Sequence, residues 1–171
     1  VKMAFLEHYR PMPRLVIAGG GHVGRALAHI GRLLDFEISV IDDRPEFASK
    51  DNIPDADHLI VKDIGDALQE LVVGPDTYIV IVTRGHSHDG EALKACIGSK
   101  AAYIGMIGSK NKVGIMKKKF LENGWATPEQ WSAVYTPIGL PIASQTVQEI
   151  AISIAAQLIE IRNAKKESYG K

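Results

Sequence analysis

Three short stretches of this chain hold residues whose types and spacing could do chemistry. The first is Gly19-Gly20-Gly21-His22-Val23-Gly24, which spaces its glycines as Gly-x-Gly-x-x-Gly. That spacing suits a pyrophosphate. Gly19 permits a tight turn, Gly21 lets the backbone approach a phosphate with no side chain in the way, and Gly24 lets the next helix pack closely on the preceding strand. His22 and Val23 sit inside the turn as candidate ligand contacts, and His22 could face the cofactor or simply solvent. Asp42 completes the arrangement as a carboxylate that would accept hydrogen bonds from ribose hydroxyls, with Asp43 beside it. Arg44 lies just beyond and could instead take a 2′-phosphate, so NAD and NADP both stay open.

The second stretch is Thr83-Arg84-Gly85-His86-Ser87-His88-Asp89. His86 and His88 can exchange protons near neutral pH or bind a metal through neutral imidazole. Asp89 could orient one of them, and Arg84 could hold an anion. Arg84, His86, His88 and Asp89 are therefore the candidates for catalysis. The plainer reading is a helix start, with Ser87 as cap and Asp89 favoured by the helix dipole. No metal centre is expected, because the pattern lacks a third well-spaced ligand. The third stretch, Gly108-Ser109-Lys110, could form a second anion site, with Ser109 capping and Lys110 or Lys112 neutralising charge, or could be a simple cap.

All three must be positioned by the elements around them. An apolar run at 15–18 reads as a buried strand that leads directly into the glycines. A helix follows, with Val23, Ala26, Leu27, Ile30, Leu33 and Leu34 on one face. Residues 38–41 form a second strand ending at Asp42, and Pro45 suits the first turn of a short helix that would cover the adenine end of a ligand. Further strands are expected at 58–61, 78–82, 102–107 and 134–136. Helices are expected at 66–71, 91–97 and 110–122, with a short one after the capping box at Thr127. The last helix starts near Thr146 and runs to about Asn163. Its apolar stripe of Val147, Ile150, Ala151, Ile154, Ala155, Leu158 and Ile161 is widened by Ile152, Ala156 and Ile159. Ser153, Gln157 and Glu160 are left as a narrow polar stripe. Such a helix is either sandwiched within the fold or part of an interface between protomers, and a homodimer is expected.

This alternation gives an α/β fold: a doubly wound parallel sheet, Rossmann-like, with strand order 3-2-1-4-5-6 and helices on both faces. Residues 1–12 read as an extended lead-in, 13–164 as a nucleotide-binding domain and 165–171 as a frayed tail. In such a sheet ligands bind beyond the carboxyl ends of the strands, which is where the three stretches fall. The 171 residues are 46% apolar and 23% charged with zero formal net charge, so nothing directs the chain to nucleic acid or to a membrane surface. No apolar run is long enough to span a bilayer, and no signal peptide is seen. The single cysteine, Cys96, reads as a core filler and fits a reducing, cytoplasmic compartment.

The segments L-V-I-A-G-G-G-H-V-G-R-A-L-A, V-I-D-D-R-P-E-F-A, V-T-R-G-H-S-H-D, Y-I-G-M-I-G-S-K-N-K and P-I-G-L-P-I-A-S-Q-T occur here in that order. Together they resemble the C-terminal Rossmann domain of the XdhC/CoxI family of xanthine dehydrogenase accessory proteins. The resemblance implies a role in maturing molybdenum hydroxylases. Members of that family bind molybdenum cofactor, protect it while a sulfido ligand is installed, and help insert it into the apo-enzyme. It therefore implies molybdenum cofactor as a ligand besides NAD or NADP. An apo molybdenum hydroxylase and a sulfurtransferase are the implied partners. It also implies that Gly19, Gly21 and Gly24 hold a nucleotide or pterin phosphate, with Arg84, His86, Asp89 and Ser109 lining the same cleft. Members often carry a further N-terminal domain, whereas about a dozen residues precede the first strand here, which implies a fragment or a separate partner. The start V-I-A-G-G-G-H-V-G is also similar to that of precorrin-2 dehydrogenases, which would make the chain an NAD(P)-dependent dehydrogenase of a tetrapyrrole precursor. A nucleotide-sensing regulatory domain is the third reading.

Overall fold

The computed structural model describes residues 12–168. Its centre is a sheet of five parallel strands: β1 (Arg14–Ala18), β2 (Glu37–Asp42), β3 (His58–Val61), β4 (Thr77–Ile81) and β5 (Tyr103–Met106). They lie in the order β3-β2-β1-β4-β5, as the alternation of strand and helix predicts. β1 is central, with Ile17 level with Val40 on one side and Val80 on the other. The strands read as near-continuous apolar runs because both faces are covered.

The two-residue period of the strands sorts their side chains into two cores. Leu15, Ile17, Ile38, Val40, Tyr78, Val80 and Tyr103 face α1 (His22–Leu33) and α6 (Val147–Ser168). Val16, Ala18, Ile41, Ile79, Ile81, Ile104 and Met106 face the other layer. That layer comprises α2 (Ile64–Glu70), α3 (His86–Cys96), α4 (Lys110–Glu122) and α5 (Pro128–Ser132). In it, Phe120 stands edge-on to Trp125 and Trp131, with ring centroids 5.5 and 5.4 Å away.

Several local expectations are corrected. The segment at 134–136 does not become a sixth strand; it makes one parallel bridge, Gly105 with Tyr135. Tyr135 N–H donates to the Ile104 carbonyl and Met106 N–H to the Tyr135 carbonyl. The next ladder donor would be residue 137, and Pro137 has no N–H. Ile138 N–H reaches the Met106 carbonyl in its place, at 3.1 Å, and the ladder ends. No helix forms after Pro45 either; 44–53 is a run of turns, with Phe47 and Ala48 N–H both donating to the Arg44 carbonyl. α3 begins at His86, well before position 91, with Gly85 at its N-cap, so Ser87 lies inside the helix and is not the cap.

The last helix is sandwiched: Ala151, Ile154, Ala155 and Leu158 are buried against the sheet and α1. Its capping box forms, with Glu149 N–H donating to Thr146 Oγ1 and Thr146 N–H to Glu149 Oε2. It runs past Asn163 to Ser168. Of its expected polar stripe, Glu160 is exposed but the other two residues turn inward. Ser153 and Gln157 are buried while Ile152 is 51% exposed. The cause is the segment after Pro137, which docks on that face. Leu140 N–H donates to the Ser153 carbonyl, and Gln157 Oε1 accepts both Gly139 N–H (3.0 Å) and the buried Tyr103 hydroxyl (2.6 Å). Leu33, expected on the apolar face of α1, is exposed at the helix end.

Candidate functional site

β1 leads into a turn that its glycines make possible. Gly19 adopts φ 116°, a conformation that side chains disfavour, and a Cβ there would lie 2.5 Å from the Val82 carbonyl oxygen. The turn is thus pressed against the chain leaving β4. A Cβ on Gly24 would fall 1.9 Å from the Gly19 carbonyl oxygen, so α1 can sit this close to the strand only without one. Gly21 differs. It is the N-cap of α1 in extended backbone, it supplies no capping side chain, and a Cβ on it would meet nothing within 4 Å. The first helical bond is donated by Arg25 N–H to the Gly21 carbonyl, at 2.8 Å. The amides before it, on His22, Val23 and Gly24, have no acceptor within the helix and stand at the positive end of its dipole. Backbone amides at the end of an open turn are what a phosphate needs.

At the end of β2, Asp42 lies next to this turn but is only 1% exposed. Its Oδ2 accepts Gly20 N–H (2.8 Å) and Arg44 Nη2 (3.0 Å), and its Oδ1 accepts Arg44 N–H (3.0 Å) and Arg44 Nε (2.9 Å). Burial alone would raise this carboxyl. The Arg44 guanidinium and the Gly20 and Arg44 N–H groups outweigh it and hold Asp42 below its ordinary value. The same pairing raises Arg44. Arg44 in turn stacks on the Phe47 ring, 3.6 Å from its centroid. Asn52 Nδ2 donates to the carbonyls of Gly20 and Phe47, each at 2.8 Å, and fastens this loop to the glycine turn. Asp43 is exposed, with Oδ1 3.9 Å from Arg44 Nε.

Across the turn, Thr83 donates its hydroxyl to Asp89 Oδ1 at 2.6 Å, and Asp89 is buried. Asp89 N–H donates to the Gly85 carbonyl at 3.2 Å, which makes Asp89 part of the first turn of α3. Arg84 and His88 are exposed, as is His22 in the glycine turn. The side chains of His86 and Ser87 lie outside the described residues. Ser109 caps α4, its hydroxyl accepting Lys112 N–H at 3.4 Å, and Lys110 is exposed. β5 is two strands from β1, so Gly108, Ser109 and Lys110 stand on the order of 10 Å from the glycine turn. The structure therefore brings the glycine turn, Asp42, Arg44 and Thr83 to one place and leaves Ser109 and Lys110 at the far side of the edge.

Phe47 and Asn52 were not legible as site residues. Phe47 falls in the V-I-D-D-R-P-E-F-A segment and Asn52 lies beyond it, and the roles of both come from a loop that folds back over the turn. Among the described residues no group of three His, Cys, Asp or Glu side chains is placed to hold a metal ion. No helix of the described residues is long and apolar enough to cross a membrane. Two surface concavities, one beside Gly98, Tyr103 and Gln130 and the other beside Arg32, Asp35 and His58, lie at the amino ends of the strands, away from the glycine turn.

Known proteins resemble this chain in sequence and in fold. The family model described as the XdhC Rossmann domain matches residues 15–158. The chain is 34% identical over 160 residues to the uncharacterized protein YqeB of Escherichia coli, covering 93% of this chain and 29% of that protein. It is 30% identical over 158 residues to a probable xanthine dehydrogenase component of Bacillus subtilis, covering 92% of this chain and 46% of that one. A crystal structure of a xanthine dehydrogenase from Bacillus halodurans superposes with a TM-score of 0.79 at 35% identity, over 91% of this chain and 44% of that one. The chain spans less than half the length of each of these relatives.

Proposed function

This chain belongs to the XdhC Rossmann domain family, and we propose that it serves as an accessory protein in the maturation of a molybdenum hydroxylase of the xanthine dehydrogenase type. In this reading it holds a phosphate-bearing molecule, a nucleotide or a pterin, at the glycine turn. One observation carries the proposal: the amides that open α1 are free of any side-chain cap, and Gly21 leaves the approach to them clear. A phosphate there would accept hydrogen bonds from the His22, Val23 and Gly24 amides and gain from the helix dipole. Arg84, exposed on the adjoining loop, supplies a cation for a second acidic group. Thr83 is committed to Asp89 and shapes that loop.

Molybdenum cofactor would be cargo in this role, brought to an apo-hydroxylase after a sulfurtransferase has acted on it. The names of two relatives, each a xanthine dehydrogenase or a component of one, support that class of client. The test is co-production of an apo molybdenum hydroxylase with this chain, scored by molybdenum content and turnover per hydroxylase. The wild-type chain is expected to raise both. Gly21→Val, which puts a branched side chain where the phosphate would rest, is expected to lose most of that gain. Full maturation with the Gly21→Val chain would refute a phosphate site as the working part.

A further inference from the structure

A dinucleotide on a glycine turn of this kind needs the acid at the end of β2 as acceptor for its ribose diol, and Asp42 is not available for it. A carboxylate offers about four lone-pair positions. Here four donors fill them: Gly20 N–H, Arg44 N–H, Arg44 Nε and Arg44 Nη2, all between 2.8 and 3.0 Å. The group is sealed from solvent as well as saturated. Rotating Arg44 away would cost its stack on Phe47. The surface over Gly20 is also taken, since a Cβ there would lie 2.6 Å from the Phe47 carbonyl oxygen, which Asn52 holds in place. Arg44 does not serve a 2′-phosphate either. Its positive charge is met by Asp42, Asp43 and Glu46, so an anion arriving there faces three carboxylates. On the other side of the turn, Gly21 opens onto free space, and exposed His22 and Arg25 follow it.

The geometry points to a site that takes its ligand by a terminal phosphate monoester, with the rest of the molecule extending away from β2. NAD, NADP and other adenine dinucleotides are rejected by the Asp42–Arg44–Phe47–Asn52 latch. This selectivity rests on the phosphate site proposed for the glycine turn and narrows what it can hold. Asp42 then acts as a positioning residue, holding Gly20 and so the amides that meet the phosphate.

Flavin mononucleotide and flavin adenine dinucleotide make a matched pair of probes, because they differ by the adenylyl group, which turns the monoester into a pyrophosphate and adds the ribose that needs β2. NAD and NADP extend the set. Titration calorimetry with the whole chain at low ionic strength should show flavin mononucleotide binding at least about tenfold more tightly than the three dinucleotides, a difference of about 1.4 kcal/mol. Arg44→Ala, which frees Asp42, should raise affinity for NAD and flavin adenine dinucleotide about tenfold relative to flavin mononucleotide. Phe47→Ala, which removes only the stack, should move in the same direction, and circular dichroism checks that both variants are folded. Wild-type chain that binds NAD or NADP as tightly as flavin mononucleotide overturns the inference while sparing the phosphate site. Failure of wild type and both variants to bind any of the four removes the phosphate site itself, and the inference falls with it.

Discussion

At the level of single residues, the three glycines of the motif make different demands, and substitution should separate them. Gly21 has φ −69° and clear space around it, so alanine fits without strain. Gly21→Ala should leave the melting temperature unchanged or raise it slightly, since the unfolded chain loses freedom worth about 0.4–1 kcal/mol. Gly24→Ala forces a methyl group against the Gly19 carbonyl and should destabilise by about 1–3 kcal/mol or more, whether or not a ligand is present. Thermal melts of the two variants decide this, and equal loss in both would mean that the turn is merely structural. Asp42 gives a prediction in pH. Its folded value is held below the ordinary 3.8, so its contribution is complete above that value and is lost as pH falls through the lower folded one. Melting curves of wild type and Asp42→Asn should therefore converge between about pH 5 and pH 2, with wild type the more stable at neutral pH. A gap that stays constant down to pH 2 would show that Asp42 is protonated or unpaired at neutral pH. Asp42 was legible in the sequence as a residue of the site because the fingerprint places an acid there. Its partner was not, because Arg44 could as well have pointed at a ligand, and the Asp42 carboxylate together with the Phe47 stack turns it back.

Among the elements, α6 shows what periodicity can and cannot settle. Its apolar positions repeat with helical spacing, and burial of Ile154 and Leu158 follows from that alone. The inward turn of Ser153 and Gln157 does not follow, because it depends on a loop that arrives from Pro137 and needs acceptors. Gln157 should accordingly matter more than an exposed glutamine. Gln157→Leu leaves the Tyr103 hydroxyl and Gly139 N–H without their acceptor. The cost should be about 1–3 kcal/mol, or roughly 2–12 °C in melting temperature for a chain of this size. Adding Tyr103→Phe removes one stranded donor and should recover part of the loss; a double variant that is worse than the single would show that the ring packing, not the bond, was at stake. The strands and caps were the most legible elements for a related reason. β1, β2 and β4 are buried on both faces, and the boxes at Thr127 and Thr146 act within four residues, so each is decided locally. The sixth strand failed because its pairing depended on a neighbour, and Pro137 withheld the one N–H that would have continued it. α3 began early for a similar reason: its first turn, His86 to Asp89, is polar, and helical periodicity read from apolar residues starts only where apolar residues do.

For the molecule as a whole, the two cores are back-to-back halves of one sheet. Alternate residues of the same strands feed them: Leu15 and Ile17 face α1 and α6, while Val16 and Ala18 face α2 to α5. Neither layer can lose its helices without exposing one side of β1 and β4, so the described residues should unfold as one unit. Both tryptophans, Trp125 and Trp131, lie in the second layer, so their fluorescence reports that layer alone, whereas far-ultraviolet circular dichroism sums the helices of both layers, α1 and the long α6 included. Urea transitions followed by the two signals should coincide. The phosphate site couples to both layers, because Gly19 leans on Val82 at the end of β4 and α1 covers the first face. A ligand at 100 times its dissociation constant adds about 2.7 kcal/mol to the stability of whatever unfolds with its site. Flavin mononucleotide at that excess should thus move the tryptophan and the dichroism midpoints upward together and by the same amount. A shift in the dichroism midpoint alone would mean that α1 and α6 separate from the tryptophan layer before the sheet opens, and that the glycine turn belongs to only one half of the fold.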